Sequence, residues 1–472
     1  MRFDPARRSL LAITTLCAAV LTPAQHSAAA QTCPDPSTST APAGYLSVRD
    51  YGAAGNGVSD DTAAIECTIT AAVAQAVNVW FPSGRYEVSA SIALPAGRTI
   101  AGQADSTDPA IIQATTAGLA FGDAAYNSVA GSNLTVQDLF FDSIGLELHG
   151  PWQSLVLRRN GFSDSRGFLN WASNGSTELS LLDVKSATVS DSIFLHGAET
   201  TDAVPIHLYV NSNVTVARNV VGLDLSQLGW LSSWPGYASW THGSVTATGK
   251  LGRLRTTLAL GADQGQFRTG LYAESQTNVT VDSNILAGSA ATQGTRDHVA
   301  YFWGPGSGSY TRNWAKGWAA DASGGVKVRN GSSIKVAANR LIGTGILLYV
   351  YDNFVPYSLD HVTVCNNAID VIGGTAANAY EGIFYWQTTT PTSLSDISIF
   401  GNQFTDPSHT GAVSLTNGNV SAFDVFATNT YTDTGATVPL TGNGNPTIDH
   451  GTPDSTHLAQ CTGLTVPSYP IP

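Results

Sequence analysis

Five short segments of the chain carry aromatic or charged residues at alternating positions between apolar residues. They are Ile206–Val210, Gly270–Glu274, Gly325–Arg329, Ile346–Tyr351 and Gly382–Trp386. Such alternation predicts a strand with one inward and one outward face. If these strands stack in parallel, equivalent outward side chains lie about 4.8 Å above one another. The segments therefore predict a wall of aromatic and charged side chains on one face.

The aromatic members of this wall are suited to binding sugars. Aromatic rings pack against the C–H faces of sugars, while the polar edges of the rings stay hydrated. Residues 222–268 and 296–318 are rich in tryptophan, and we interpret them as long loops beside the wall. The expected substrate-binding residues are His207, Tyr209, Tyr272, Tyr349, Tyr351, Trp386 and Trp303.

The candidate catalytic acids and bases lie on or near the same face. Glycoside hydrolysis needs one protonated and one ionised carboxyl group, roughly 6.5–9.5 Å apart for inversion and 5–5.5 Å apart for retention. Glu274 lies on the wall, and Asp352 and Glu381 are close to it in the aligned segments, with Asp297 and Asp321 as further candidates. Carboxyl groups one or two strands apart satisfy either requirement, so the stereochemical outcome stays open.

Lys327 and Arg329 support a second mechanism on this face. In β-elimination a base removes the proton next to a uronate carboxylate, and a cation stabilises the enolate that develops. In a hydrolase the same cations would position the substrate or hold Glu274. Hydrolysis of a polysaccharide is the favoured function, with a polysaccharide lyase and a non-catalytic glycan-binding protein as alternatives.

A weak repeat from about residue 130 to 430 supplies the elements that position the wall. Its unit is an anchor residue followed by Val-x-Val-x-x-Asn, with copies beginning at Asn213, Asn278, Ser333, His361 and Asp396. The closest copies lie about 27 to 35 residues apart, a period typical of β-solenoids. We expect the terminal Asn in a left-handed turn position, where asparagine is tolerated. The repeat predicts an all-β fold, a single parallel β-helix.

A different motif precedes the repeat. Residues 48–65 read VRDYGAAGNGVSDDTAAI and residues 80–86 read WFPSGRY. The motif predicts a strand, a Gly/Asn turn and a helix whose N-terminus Asp60 or Asp61 caps. Such a cap helix would cover the open end of a solenoid, which otherwise exposes unpaired strand edges.

This motif resembles the entry segment of the pectate lyase-like, rhamnogalacturonase/epimerase-like group of right-handed parallel β-helix proteins. The resemblance implies that fold and an action on polysaccharides. The polygalacturonase-like members carry an Asn-Thr-Asp triplet, an Asp pair, a Gly-His-Gly and an Arg-Ile-Lys motif on the strands of the groove. In this chain the Asp pair is missing at the strand that begins at Gly270, and Gly325-Val-Lys-Val-Arg329 resembles Arg-Ile-Lys only weakly. The Asp-Pro-His-Glu motif of the mannuronan epimerases is absent as well, so no catalytic role is carried over residue by residue.

The first thirty residues have the pattern of a secretory signal. Basic residues precede an apolar stretch, Leu10–Leu21, and Ala28-Ala29-Ala30 precedes Gln31 as a cleavage site. The apolar stretch is about a dozen residues long, too short to span a bilayer. We predict a signal peptide over 1–30, a β-helix over 31–440, a C-terminal tail over 441–472 that packs on it, and a secreted protein, extracellular or periplasmic.

Removal of the signal leaves four cysteines, Cys33, Cys67, Cys365 and Cys461. An even number of cysteines in an oxidising compartment predicts disulfides, and three pairings are possible. Local closure favours Cys33 with Cys67 and Cys365 with Cys461. The first bond would tie the N-terminal arm to the cap helix, and the second would tie the tail to the body.

The charge balance limits the partners. Lys+Arg 22 against Asp+Glu 35 gives a net charge of -13, which argues against nucleic acid and anionic membranes. We expect a polysaccharide or oligosaccharide as the partner and no membrane span. A hydrolase requires no cofactor, whereas the lyase alternative admits Ca²⁺. The oligomeric state is not predicted.

Overall fold

The fold is a parallel β-helix whose strands form three sheets. The computed structural model describes residues 33–34, 36, 41–103, 109–123, 125–129, 131–163, 177–195, 204–222, 270–287, 298–304, 306–316, 325–351, 357–371, 382–409, 413–415, 423–442 and 451–467. In each sheet, neighbouring strands pair in parallel and come from successive turns of the chain. The predicted all-β solenoid is thereby confirmed.

The three sheets have the following strands within the described ranges. Sheet 1 consists of β1 (Tyr45–Ser47), β3 (Asn78–Phe81), β5 (Arg98–Gly102), β8 (Asn133–Gln137), β11 (Ser154–Arg158), β14 (Ala187–Ser190), β17 (Val214–Ala217), β20 (Val279–Asp282), β23 (Gly308–Thr311), β26 (Ser332–Ala337), β29 (Ser358–Cys365), β32 (Ser393–Phe400) and β35 (Phe423–Ala427). Sheet 2 consists of β2 (Asn56–Asp60), β4 (Gly84–Val88), β6 (Ala110–Ala114), β9 (Leu139–Asp142), β12 (Gly161–Ser163), β15 (Ile193–Leu195), β18 (Val220–Val221), β21 (Ile285–Ala287), β24 (Trp314–Lys316), β27 (Arg340–Ile342), β30 (Ala368–Asp370), β33 (Gln403–Thr405) and β36 (Thr430–Tyr431). Sheet 3 consists of β7 (Ala120–Gly122), β10 (Gly145–His149), β13 (Thr177–Leu182), β16 (Val204–Tyr209), β19 (Leu271–Glu274), β22 (Ala300–Trp303), β25 (Val326–Arg329), β28 (Ile346–Val350), β31 (Ile383–Gln387), β34 (Val413–Leu415) and β37 (Thr441–Gly442).

Inward side chains of the three sheets form one continuous apolar core. On sheet 3 the inward positions of successive strands are Leu208, Ala273, Phe302, Val328 and Leu348, all at most 4% exposed. Each large apolar side chain buried in this way contributes about 1.5–3 kcal/mol. Because the side-chain period of a strand is two, this core fixes which residues of each strand face outward.

A ladder of buried asparagines lines the turns between sheets 1 and 2. Its members are Asn160, Asn219, Asn284, Asn313, Asn339, Asn367, Asn402 and Asn429. The predicted left-handed conformation of these terminal asparagines is wrong, because the residue before each adopts it, as in Arg218 (φ 57°) and Ala338 (φ 55°). The asparagine side chain turns inward and satisfies backbone groups of the turn, for example the carbonyl of Val189, to which Asn219 Nδ2 donates at 3.0 Å.

The N-terminal helix lies where the entry motif predicts it. Helix α1 (Thr62–Gln75) begins after Asp61, and the carboxylate of Asp60 accepts a hydrogen bond from the N–H of Thr62 at 3.0 Å. The carboxylate of Asp61 instead accepts from the N–H groups of Ala54 and Gly55 at 2.6 and 3.1 Å. The helix joins the apolar core through Ile65, Ile69 and Ala72. Its function as a cover for the open end stays a prediction.

Residues 296–318 are not an inserted loop, contrary to the prediction. Their described part contains β22, β23 and β24, a complete turn of the solenoid. Trp303 lies on sheet 3, and Trp314 is buried on sheet 2 at 1% exposure. The repeat pattern missed this turn because Gly308 and Tyr310 stand at its two Val positions. Trp230, Trp234, Trp240 and Trp318 lie outside the described residues.

Both predicted disulfides are confirmed. Cys33 is bonded to Cys67 in helix α1, and Cys365 of β29 is bonded to Cys461. Cys461 ends helix α2 (Ser455–Cys461), and Gln460 of this helix receives hydrogen bonds from Thr363 and Lys335 of sheet 1 at 2.5 and 3.3 Å. The C-terminal segment is therefore fastened to the outer face of sheet 1. In the described ranges neither helix has the length and apolar character that crossing a bilayer requires.

Candidate functional site

The outward side chains of β16, β19, β22, β25, β28 and β31 form the predicted wall. Strand register places them in two columns, which we call the first and second column. The first column is His207, Tyr272, Tyr301, Lys327, Leu347 and Phe384. The second column is Tyr209, Glu274, Trp303, Arg329, Tyr349 and Trp386.

The register corrects one detail of the sequence alignment. Tyr349 pairs with Arg329, so the outward residues of β28 are Leu347 and Tyr349 rather than Tyr349 and Tyr351. Tyr351 follows the end of the strand, and its ring centroid lies 5.5 Å from that of Tyr349. Tyr351 therefore still contributes to the wall, and Tyr301 is a wall residue that the sequence analysis did not name.

Glu274 lies between Tyr209 and Trp303 in the second column and is 7% exposed. Burial raises the pKa of its carboxyl group to about 7, and the charge of Arg329 opposes this increase. No donor among the described residues makes a hydrogen bond to this carboxyl group. Burial also raises the pKa of the Tyr209 hydroxyl, with a further contribution from the negative charge of Glu274. Glu274 can therefore hold a proton near neutral pH.

The two cations of β25 are enclosed by aromatic rings. Lys327 Nζ lies 4.9 Å from the ring centroid of Tyr301 and 4.7 Å from that of Tyr349. The guanidinium carbon of Arg329 lies 5.3 Å from the ring of Trp303 and 4.2 Å from that of Tyr351. Such cation–π contacts are worth about 0.5–2 kcal/mol each. They hold the rings of neighbouring strands in fixed positions.

Ring contacts continue the wall in both directions from β22. Tyr272 lies 5.3 Å from His207, 5.1 Å from Tyr301 and 5.6 Å from Trp303, measured between ring centroids. Further along the stack, the Tyr349 and Trp386 centroids are 5.5 Å apart. The structure thus brings together Glu274, Lys327, Arg329 and all seven predicted binding residues.

A buried polar cluster on β10, β13 and β16 extends the same face, and the sequence analysis missed most of it. Glu147, Ser180 and His207 follow one another in register. His149 Nε2 lies 2.8 Å from Ser180 Oγ and 3.7 Å from Glu147 Oε2. The segment Gly145-Leu-Glu-Leu-His149 has the same alternation as Gly270–Glu274, and this was the signal that could have revealed it.

Both histidines of this cluster are held in the neutral form. Burial lowers the pKa of His149 and of His207 to about 4. Neither ring nitrogen of His207 has a hydrogen-bond partner in the described part of the chain. Glu147 lies three strands from Glu274, a separation of about 14 Å at the usual strand spacing. That is larger than either carboxyl separation that glycoside hydrolysis uses.

The remaining candidate acids are not on the described part of the wall. Asp352, Glu381, Asp297 and Asp321 lie outside the described residues. Within the described ranges, no group of three or more His, Cys, Asp or Glu side chains has the arrangement of a metal site. The Ca²⁺ of the lyase alternative stays a prediction.

Comparison with solved structures finds several similar chains at low sequence identity. The A-module of mannuronan C-5 epimerase AlgE4 from Azotobacter vinelandii is 17% identical with a TM-score of 0.49, covering 85% of this chain and 98% of that one. The surface adhesin PfbA of Streptococcus pneumoniae is 12% identical with a TM-score of 0.44, over 82% and 90% of the two chains. The catalytic unit of a GH87 α-1,3-glucanase from Streptomyces thermodiastaticus is 15% identical with a TM-score of 0.39, over 89% and 72%. Activity has to be inferred from the side chains of this chain.

Sequence comparison finds a family match for the N-terminal turns of the solenoid. No curated protein sequence matches the chain. Residues 45–192 match the model of the family described as rhamnogalacturonase A/epimerase, pectate lyase-like. This range starts at β1 and includes the entry motif, helix α1 and the first strands of all three sheets. Over this range the chain is therefore similar to the pectate lyase-like family that the entry motif indicated.

Proposed function

We propose that the protein cleaves a polysaccharide by glycoside hydrolysis, with Glu274 as the acid that protonates the leaving oxygen. The observation that carries this proposal is a buried carboxyl group that lies between the aromatic residues Tyr209 and Trp303 on the wall. A general acid works best when its pKa lies near the operating pH, and burial among apolar groups produces that condition. The name of the matched family, which refers to enzymes of polysaccharides, supports the substrate class.

The aromatic rings next to Glu274 account for substrate binding in this proposal. A sugar unit that packs its C–H face on the partly exposed ring of Trp303 would lie directly beside the acid. Lys327 and Arg329 act here by holding the rings of Tyr301, Tyr349 and Trp303 in place. The wall would thereby bind several consecutive sugar units along the stacked strands.

Hydrolysis also needs a second carboxyl group. Among the described acids of this face, Glu147 is too far from Glu274. We propose Asp352 as the base or nucleophile, with Glu381 as the next candidate. Asp352 directly follows Tyr351, whose ring contacts Arg329 on the wall.

β-Elimination on a polyuronate is the second candidate function. It is favoured by one observation, namely that Glu274 and Arg329 lie in the same column and influence each other electrostatically. A carboxylate that is partly ionised at neutral pH can abstract a proton, and a nearby cation can stabilise the enolate. In that mechanism Lys327 and Arg329 would contact the substrate carboxylate directly.

Product analysis tests the two reactions. The protein is incubated with plant, algal and bacterial polysaccharides, and both new reducing ends and the ultraviolet absorbance of unsaturated uronates are measured. Hydrolysis gives reducing ends without absorbance, whereas elimination gives both. If no polymer gives either product, the catalytic proposal is wrong and the wall is a binding surface.

The pH dependence of the reaction provides an independent prediction. Since Glu274 must be protonated to act as an acid and its pKa is about 7, kcat/KM should fall as the pH rises through about 7. A group acting as a base would give the opposite slope, with activity rising over the same range. A pH profile from 5 to 9 on the best polymer of the screen measures this, and an activity that rises across that range would contradict the acid assignment.

We also propose that the protein is exported. The two disulfides fit an oxidising compartment, because thiols in the cytosol are kept reduced. The predicted signal over residues 1–30 lies outside the described part of the chain.

A further inference from the structure

Two exposed side chains on turns between sheet 3 and sheet 1 do not belong to the wall. Tyr126 follows β7 and is 53% exposed, and Val210 follows β16 and is 45% exposed. Asp183 and Lys185 lie on the turn after β13, between these two positions in the stack. We call these four residues, Tyr126, Asp183, Lys185 and Val210, the rim.

Hydrogen bonds connect the rim residues with one another and with the strands of the wall. The hydroxyl of Tyr126 donates to Asp183 Oδ2 at 2.7 Å, and Lys185 Nζ lies 3.4 Å from Asp183 Oδ1. The N–H of Asp183 donates to the carbonyl of Tyr209 at 3.1 Å. The N–H of Val210 donates to the carbonyl of Glu274 at 3.0 Å. The rim is therefore continuous with the part of the wall that holds the candidate acid.

The backbone of Val210 has a conformation that valine rarely adopts. Its φ is 52°, in the left-handed region, where a β-branched residue is a genuine outlier. The equivalent turn positions of other strands hold Asp183, Ser275, Gly304 and Asn330, which are smaller or tolerate this region better. An exposed apolar side chain at a strained position gains little from packing in the free protein. Such outliers persist where they serve a function.

The neighbouring residue shows how the strain is maintained. Asn211 is buried, and its side chain accepts a hydrogen bond from the N–H of Val184 at 2.8 Å and donates to the carbonyl of Leu181 at 2.9 Å. The turn is thereby fixed from both sides, whatever residue occupies position 210. Valine is not required for the turn to form, so its presence calls for a different explanation.

We propose that the rim is an outer carbohydrate-binding subsite, which binds consecutive sugar units of the polymer that the wall holds. This inference rests on the proposed function for the identity of the polymer. The ring of Tyr126 offers a flat surface to the C–H face of the sugar. The carboxylate of Asp183 accepts hydrogen bonds from sugar hydroxyls, and the ammonium of Lys185 donates to them. Val210 supplies an apolar contact on the side of the wall.

The ion pair within the rim does not prevent this binding. Lys185 and Asp183 have side chains that are 54% and 28% exposed, and exposed pairs of this kind contribute about 0–1 kcal/mol. Hydroxyl groups of a sugar can therefore replace the contact at little cost. The Tyr126 hydroxyl stays available to orient Asp183, since it donates to the other carboxylate oxygen.

Affinity electrophoresis of the full protein tests the subsite without requiring turnover. Native gels containing polygalacturonate, alginate, xylan, laminarin or dextran measure retardation of Tyr126→Ala, Val210→Asn and Trp303→Ala. We expect Tyr126→Ala to weaken retention about five- to tenfold and Tyr126→Phe to weaken it by about twofold at most, because the ring is retained. Val210→Asn should weaken retention and raise the midpoint of thermal unfolding by about 1–2 °C.

Thr428→Asn is the matched control for the backbone. Thr428 is also β-branched, has φ 55° and lies on a turn between sheets 1 and 2, away from sheet 3. Its substitution should leave retention unchanged. If Trp303→Ala abolishes retention while Tyr126→Ala and Val210→Asn leave it at the wild-type level, the subsite is wrong and the wall remains. If no polymer retards the wild-type protein, both are wrong, whereas rim effects without any turnover would refute the catalytic proposal alone.

Discussion

Replacing Glu274 with glutamine should lower kcat by about 10²- to 10⁴-fold, the usual contribution of a general acid or base. Glutamine has nearly the same shape but cannot supply a proton, so binding on the aromatic rings should change by only a few-fold. Single-turnover rates and polymer affinity, measured on the same preparation, separate the two effects. The expected loss appears in kcat, since the proton is needed in the transition state.

The stability of this variant provides a check on its folding. The pKa of Glu274 is about 7 in the folded protein and 4.5 in an unfolded chain, so the folded state holds more protons between these values. Stability contributed by the protonated form is therefore lost as the pH rises from about 4.5 through about 7. Glutamine does not ionise, and Glu274→Gln should be at least as stable as the wild type at pH 8.

Glu87→Gln is a suitable control, because Glu87 lies on β4 of sheet 2, outside the wall. It should keep wild-type kcat and affinity. Wild-type turnover in Glu274→Gln would mean that another carboxyl group is the acid, and Asp352→Asn and Glu381→Gln would then be measured in the same way.

The wall could be predicted from the sequence because it depends on short-range features, namely the alternation within each strand and the stacking of neighbouring strands. Alternation in segments such as Gly325–Arg329 fixes which side chains face outward, and parallel stacking then aligns them. Tyr301 was missed because residues 296–318 were interpreted as a loop, although the inward Ala300 and Phe302 follow the same alternation. The pKa of Glu274 could not be predicted, since it depends on burial by residues distant in sequence.

The three-sheet arrangement was harder to predict. Strands of sheet 2 such as β18 and β24 contain two or three residues, too few for a recognisable alternation. The sequence pattern also does not indicate whether each asparagine side chain points inward or outward. Asparagine is favoured both in left-handed turns and as a buried hydrogen-bonding group, and only the stacking of successive turns decides between these functions.

Replacing Asn339 with alanine should destabilise the protein by about 3–4 kcal/mol, the second large effect that we expect. Asn339 Oδ1 accepts hydrogen bonds from the backbone N–H and the side-chain amide of Asn313 at 2.9 and 3.2 Å. Its own amide donates to the carbonyl of Tyr310 and to Asn367 Oδ1, each at 2.9 Å. Alanine leaves these buried groups without partners, and each unsatisfied group carries a desolvation cost.

The chain itself contains the matched control for this substitution. Ser192 occupies the equivalent position of an earlier turn, where its hydroxyl accepts a hydrogen bond from the N–H of Asn160 at 3.1 Å. Asn339→Ser keeps an acceptor for the N–H of Asn313 and should therefore cost less than Asn339→Ala. Urea unfolding at one protein concentration measures both midpoints. Equal midpoints for the wild type and both variants would show that the ladder does not stabilise the solenoid. A graded loss of the urea midpoint, with the alanine variant below the serine variant, would show that each turn depends on its polar contact with the next turn. The asparagines would then help to keep the strands of sheet 3 in register, although they lie on the opposite side of the coil.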